Sequence, residues 1–287
     1  MASMHQAVSA FRGFITLCLA ATRPTAGPAD PLGAELEDLQ RSQEALQRRV
    51  EELTGALARA NTSIDQLTHM LSHDLRAPLR SVTGFLGLVK LQGNDVLTER
   101  SREHLRWVER GTEDMLGMID GLLHLSRLRH QELAMRPLDV GTLVQEARRK
   151  LGRTWEEAGA ALAVATPHRI LADPNLLTEA IEHVLGNCVR YRCHDVPLQI
   201  DVSSHPIDGA QVEVAIADNG TGVLPDMREN LFAPFRRGIA PNEDDRALGL
   251  GLTIARAVAE RHGGSVWLES LGRDQGTTVR FRLPAAQ

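Results

Sequence analysis

The first residues with chemical potential lie in Met70-Leu71-Ser72-His73-Asp74-Leu75-Arg76-Ala77-Pro78-Leu79. A neutral imidazole is a competent nucleophile near neutral pH, and attack by one ring nitrogen requires that the proton sit on the other. Asp74 follows His73 directly and can accept that hydrogen bond, as general base or orienting group. Taken alone, an adjacent His-Asp pair is most often a solvated surface pair, so the rest of the chain must decide between the two readings.

Three later segments bear on it. The helical pattern ending at Leu185-Gly186-Asn187-Cys188-Val189-Arg190-Tyr191 carries an asparagine, and a helical asparagine can offer Mg2+ a neutral oxygen while the ion keeps waters and phosphate oxygens. Arg190 stands one turn away with a guanidinium suited to phosphate. Ala217-Asp218-Asn219-Gly220-Thr221-Gly222-Val223 closes an apolar strand with a turn signal. Leu248-Gly249-Leu250-Gly251-Leu252 opens the apolar helix Thr253-His262, and glycines before a helix N-terminus let backbone N–H groups close on phosphate. No Gly-x-x-x-x-Gly-Lys-Ser/Thr occurs, which excludes a P-loop.

The elements that must hold these groups follow from pattern and composition. The chain has 287 residues, room for about two domains. Its net charge of −5, without a long Lys/Arg run, argues against nucleic acid as a partner. Cys18, Cys188 and Cys193 lack metal-ligand spacing, as expected in a reducing, cytoplasmic compartment. The apolar run Phe14–Ala21 after Arg12 is shorter than the ~20 residues that span a bilayer, so no membrane association is expected. Residues 1–34 read as a poorly ordered tail ending in the Pro/Ala/Gly-rich Arg23–Gly33.

From Leu36 a heptad begins, with Leu36, Gln43, Val50, Leu57, Ile64 and Leu71 at a and Leu39, Leu46, Leu53, Ala60 and Leu67 at d. Such a stripe is buried only against another helix, so a coiled-coil stalk over 35–68 and a parallel homodimer are expected. A single amphipathic helix lying on its own domain is the alternative. Beyond Leu67 the apolar steps become four and four, through Leu71 and Leu75, a stutter that falls at His73, and Pro78 removes the donor for the carbonyl of Asp74. Strain in the stalk is thereby expected to reach the nucleophile. A whole heptad inserted between Gln43 and Val50 should spare activity while four residues alter it; equal activity in both would refute this coupling.

The first helix is expected to end near Gln92–Asp95 and a second to begin around Thr98 and run through Leu128. Two such hairpins make a dimeric four-helix bundle over 69–133, with His73 off the apolar stripe and facing solvent. From 134 onward the pattern alternates. Thr142–Leu151 and Asn175–Tyr191 read as helices, and Arg169–Ala172, Leu198–Val202, Val212–Ala217, Ser265–Glu269 and Thr277–Leu283 as strands. The fold class is α+β, a helical region followed by an α/β sandwich with a mixed sheet.

In this order the segments resemble the sensor histidine kinases of two-component systems, over about residues 60–284. His73-Asp74-Leu75-Arg76-Ala77-Pro78-Leu79 resembles the H box, the Asn187 segment the N box, the Asp218 segment the G1 box, Leu231-Phe232-Ala233-Pro234-Phe235-Arg236-Arg237 the F box and the Gly249 segment the G2 box. The resemblance implies a GHKL-type ATP-binding domain. Asn187 would be the Mg2+ ligand, Arg190 would lie near phosphate, Tyr191 would line the base pocket and Asp218 would read the adenine amino group. Gly220 and Gly222 would allow close backbone approach. Phe232 and Phe235 would anchor a lid over the nucleotide, with Arg236 and Arg237 near phosphate. Gly249, Gly251 and Leu252 would cradle phosphate, and Thr277 would close the fold.

It also implies that His73 takes the γ-phosphoryl group of ATP and passes it to an aspartate of a response-regulator receiver domain. Ala77 departs from the Thr or Asn that positions a hydrolytic water in many members, so weak or no phosphatase activity is expected. His183 stands in place of a second asparagine and Ala247 in place of the earliest glycine, departures from which altered nucleotide affinity is expected. A degenerate kinase acting as dimeric scaffold or phosphorelay adaptor, and an ATPase using water as acceptor, remain alternatives at this stage.

Overall fold

A computed structural model describes residues 31–93, 97–236 and 247–286, so the expectation for residues 1–30 lies outside the described residues. The chain divides into two compact units, residues 1–64 and Asp65–Gln287. Helix α1 spans Pro31–Gly93 and begins four residues before the expected stalk. In the first unit its d-position side chains Leu39, Leu46 and Leu53 are exposed on the single chain. Helix α2, Glu99–His130, starts where Thr98 caps it, its hydroxyl accepting from the Ser101 N–H at 3.2 Å.

Pairs of charges set the hairpin in register. Asp65 accepts from Ser126 at 2.9 Å and meets His130 Nε2 at 2.7 Å, Arg76 meets Asp120 at 2.6 Å, and Lys90 meets Glu109 at 2.5 Å. The hydrogen bond from His130 chiefly holds the Asp65 carboxyl below its ordinary pKa. This antiparallel register sets His73 level with the turn of α2 around Leu123 and His124.

Strand β1, Arg136–Asp139, leads into helices α3, Val140–Leu151, and α4, Arg153–Ala158. Strands β2, Ala161–Ala165, and β3, Arg169–Ala172, precede helix α5, Pro174–Arg190. Then come β4, Gln199–Asp208, β5, Gln211–Asp218, helix α6, Gly251–Arg261, and strands β6, Ser265–Glu269, and β7, Thr277–Pro284. The main sheet runs β2-β4-β5-β7-β6, parallel only between β2 and β4, while β1 and β3 form a separate antiparallel pair.

Alternation explains the layers. Val279, Phe281 and Leu283 of β7 are buried while Arg280 turns to the open face, where it bridges Glu213 at 2.7 Å and Glu269 at 2.8 Å. The buried face meets Val144, Leu177, Ile181, Leu185, Ala255 and Val258 from the helices. Each such side chain contributes about 1.5–3 kcal/mol on burial. Strand β4 runs past the expected Val202 to include Pro206, which is tolerated because β2 stops opposite Ser203 and leaves no ladder partner on that side.

Candidate functional site

His73 stands on α1 with its side chain 83% exposed, and its Nδ1 lies 3.2 Å from Asp74 Oδ1. With the proton on Nδ1 donated to Asp74, the lone pair of Nε2 faces solvent. Neither residue lines the cavity of the downstream domain.

That cavity, about 750 Å3, opens between α5, the end of β5 and the N-terminus of α6. It is lined by Asn187, Arg190 and Tyr191 from α5, by Asp218 and Gly222 from the β5 turn and by Thr277 from β7. Arg236, Gly249, Gly251 and Leu252 line its other end. Gly220, Phe232 and Phe235 are not in the lining, and Arg237 lies outside the described residues.

At the end of the cavity nearest β5, Asp218 accepts hydrogen bonds from the N–H groups of Gly220, at 2.7 Å, and Thr277, and from the Cys188 thiol. Burial pushes its carboxyl above the ordinary pKa despite those donors. The reverse dependence holds for Cys188, whose thiol burial and the Asp218 charge hold well above its usual value. Gly220 supports this turn from behind, since a Cβ there would lie 2.5 Å from the Tyr191 carbonyl. Gly222 has φ +67°, and a Cβ would collide with the Gly272 carbonyl oxygen. Gly222→Ala should therefore lower the domain's melting midpoint by several degrees, on a left-handed cost of about 1–2 kcal/mol plus the collision. Calorimetry of the full chain checks this.

At the other end, Phe235 adopts φ +61° and donates its N–H to the Gly249 carbonyl at 3.0 Å, tying the F segment to the glycine loop. A left-handed phenylalanine costs about 1–3 kcal/mol, held by this packing. Phe232 is buried beneath the Arg256 guanidinium, 4.3 Å from its ring centroid, so both aromatics pack in support of the loop. Helix α6 has no side-chain cap, and Thr253 Oγ1 in its first turn is buried without a partner. Uncapped N–H groups and an unsatisfied hydroxyl make an anion-receptive end.

Sequence reasoning missed the wall opposite α5. Gly117 and Gly121 of α2 line the same cavity, and a Cβ at Gly117 would lie 2.6 Å from Leu248 Cδ1, while one at Gly121 would run into Leu250. Two glycines one turn apart inside a helix cost about 1 kcal/mol each against alanine, a signal that something packs there. Gly276, φ +66°, packs against the end of β5, where a Cβ would strike the Asp218 carbonyl. His183 lines the cavity beside Gly251, 3.4 Å from a Cβ built there. Among the described residues no group of three or more His, Cys, Asp or Glu could hold a metal ion, and no helix is long and apolar enough to cross a membrane.

Residues 63–131 match the family described as His Kinase A (phospho-acceptor) domain, and residues 172–287 match Histidine kinase-, DNA gyrase B-, and HSP90-like ATPase. The histidine protein kinase DivJ of Caulobacter vibrioides is 31% identical over 220 residues, 75% of this chain and 36% of that protein. The crystal structure of full-length ShkA in complex with AMPPNP is 28% identical, with a TM-score of 0.56 over 77% of this chain and 46% of that one. ThkA in complex with the response regulator protein TrrA shares the fold, at 18% identity and a TM-score of 0.52, over 77% of this chain and 61% of that one. The chain spans about a third of the length of the curated relatives it matches.

Proposed function

Because the chain belongs to the sensor histidine kinases, with an H-box phospho-acceptor domain and a GHKL-type ATP-binding domain, we propose that it phosphorylates His73 from ATP and passes the group to a response-regulator aspartate. The observation that carries this is the conjunction of an exposed His73 whose Nδ1 is held by Asp74 with a cavity that has a carboxylate at one end and uncapped helix N–H groups at the other. Nε2 of His73 attacks the γ-phosphorus, the bond to the bridging oxygen breaks, and its electron pair leaves on ADP. Asp74 takes or shares the Nδ1 proton as the ring becomes phosphorylated.

In the cavity, Asp218 accepts from the adenine amino group, Tyr191 lines the base end, and the N–H groups of Gly251 and Leu252 receive phosphate with Arg190 and Arg236. The lining fits Mg2+ modestly: Asn187 would hold the ion with waters and phosphate oxygens, and the ion would offset phosphate charge. The active form is a cytoplasmic homodimer. Leu71, Leu75, Phe85 and Val89 of α1 and Val108 and Met115 of α2 are exposed apolar residues that a second hairpin would cover. Ala77 can position no water, so phosphatase activity toward the regulator is weak or absent.

The test is incubation of the full chain with γ-labelled ATP and Mg2+. Acid-labile, base-stable label on the protein, chased to a receiver domain, is the expected result. Nucleotide binding without label would favour the scaffold reading, and rapid dephosphorylation of a regulator by the unphosphorylated chain would refute the phosphatase assignment.

A further inference from the structure

Three contacts hold the nucleotide-binding domain against α2. Leu248 and Leu250, which flank Gly249 in the glycine loop, occupy the space left by Gly117 and Gly121. Arg261, at the end of α6, donates to the carbonyls of Leu128 and Gln131. Between these two, His124 of α2 sets Nε2 2.6 Å from Oε1 of Glu179 on α5, an ion-pair contact without the alignment of a hydrogen bond, and that nitrogen is sealed from solvent. A second imidazole, His183, reaches the same carboxylate oxygen at 3.8 Å.

In this arrangement α2 forms a wall of the cavity, while His73 is on α1 and absent from its lining. The hairpin register sets His73 at the height of His124. For transfer to the His73 of the same protomer, the glycine loop would have to leave the α2 face on which it is packed, at the same height along the hairpin.

Resting on the kinase reading above, we propose that His124 and Glu179 form a proton-controlled latch that parks the nucleotide-binding domain on α2 and restrains phosphorylation of His73. Protonation of His124 adds a full charge opposite the Glu179 carboxylate and strengthens the pair. The groups facing His124 are Glu179 and His183 from α5 and Arg127 from its own helix. From α6 the nearby charge is Arg261, committed to main-chain carbonyls, and from α1 the charges at this level are Arg76, paired with Asp120, and Asp65, paired with His130.

The contact with Glu179 raises the His124 pKa above its ordinary value against an opposing effect of burial. Burial alone would raise the Glu179 carboxyl, but the two imidazoles bring it down to about 2, so it stays charged throughout the range in which His124 titrates. A histidine with a raised folded pKa holds its contact fully below about pH 6.5, the unperturbed value, and loses it as pH rises through the folded pKa. The latch is closed in mild acid and opens on the alkaline side.

The experiment compares the full-length wild type with His124→Ala and Glu179→Gln at saturating Mg2+ and γ-labelled ATP from pH 6 to 8.5. The readout is the ratio of variant to wild-type initial rate at each pH, which cancels any pH dependence common to the three proteins. The ratio should be about 5 or more at pH 6, the lower end of usual coupling between sites, and fall toward 1 by pH 8.5. Hydrogen exchange of segments 114–131 and 248–262 is measured on the same samples. Wild type should be more protected than either variant at pH 6, with the difference vanishing at pH 8.5. A ratio that stays flat with pH, or lies at or below 1 at pH 6, overturns the latch, as does pH-independent protection. If no protein labels while the exchange difference follows pH, the latch stands and the kinase reading fails.

Discussion

Replacing His73 by glutamine should abolish acid-labile label while leaving ATP affinity unchanged. Glutamine keeps the length and polarity of the side chain and its tolerance of a helix, so α1 is undisturbed. It has no lone pair of comparable nucleophilicity, so the phosphoryl group has no acceptor. The affinity should hold because His73 does not line the cavity and its ring is engaged by its neighbour Asp74. Asp74→Asn separates orientation from nucleophilicity. An amide can still meet Nδ1 but takes up no proton, and the labelling rate should fall by about 10²-fold or more with KM for ATP unaltered. Single-turnover labelling and equilibrium binding of a labelled nucleotide check both. Label that persists on the glutamine variant would mean a second acceptor, and ATP turnover without label would mean that water is the acceptor.

Asp218→Asn should lose nucleotide and gain stability. The carboxylate accepts from the Gly220 and Thr277 N–H groups and the Cys188 thiol, and its remaining capacity is directed into the cavity, where an adenine amino group would donate to it. An asparagine presents an NH2 group to one side or the other and sets donor against donor. Losing a hydrogen bond to a charged group costs about 1.5–3 kcal/mol, or roughly 10- to 150-fold in affinity. The empty domain should respond in the opposite sense. A carboxyl whose folded pKa is raised by burial opposes folding once pH exceeds the unfolded value of about 4, so removing the charge raises the thermal midpoint at pH 7 and makes no difference in strong acid. Isothermal titration with ATP and thermal scans at pH 7 and pH 3 read the two effects. An asparagine variant that binds ATP as wild type would remove Asp218 from the base site.

What the chain declares on its own is whatever depends on local spacing. The apolar repeat from Leu36 can be satisfied only by a long helix, and the Thr98 cap, the Asp173-Pro174 entry to α5 and the Asp218-Asn219-Gly220 turn each act within a few residues. The chemistry-bearing residues were legible for the same reason. Their roles ride on helix ends and turns, where backbone need and side-chain type coincide. Three elements were not foreseen. Strand β1, with Pro137, and the alanine-rich β2, Ala161–Ala165, have weak strand character and form because β3 and β4 pair with them; α4 is only six residues long.

Tertiary structure alone decided the rest, because it joins residues that no local pattern links. Phe232 and Phe235, expected as anchors of a lid, owe their places to residues far along the chain, Phe232 to the Arg256 guanidinium and Phe235 to the Gly249 carbonyl. His183, expected from sequence to alter nucleotide affinity, also faces Glu179, which His124 reaches from another helix. The spacing of Gly117 and Gly121 says only that a helix face is bare. That Leu248 and Leu250 fill it follows from how α2 packs against α6, a contact across more than a hundred residues whose free energy belongs to the assembled interface and to neither segment alone.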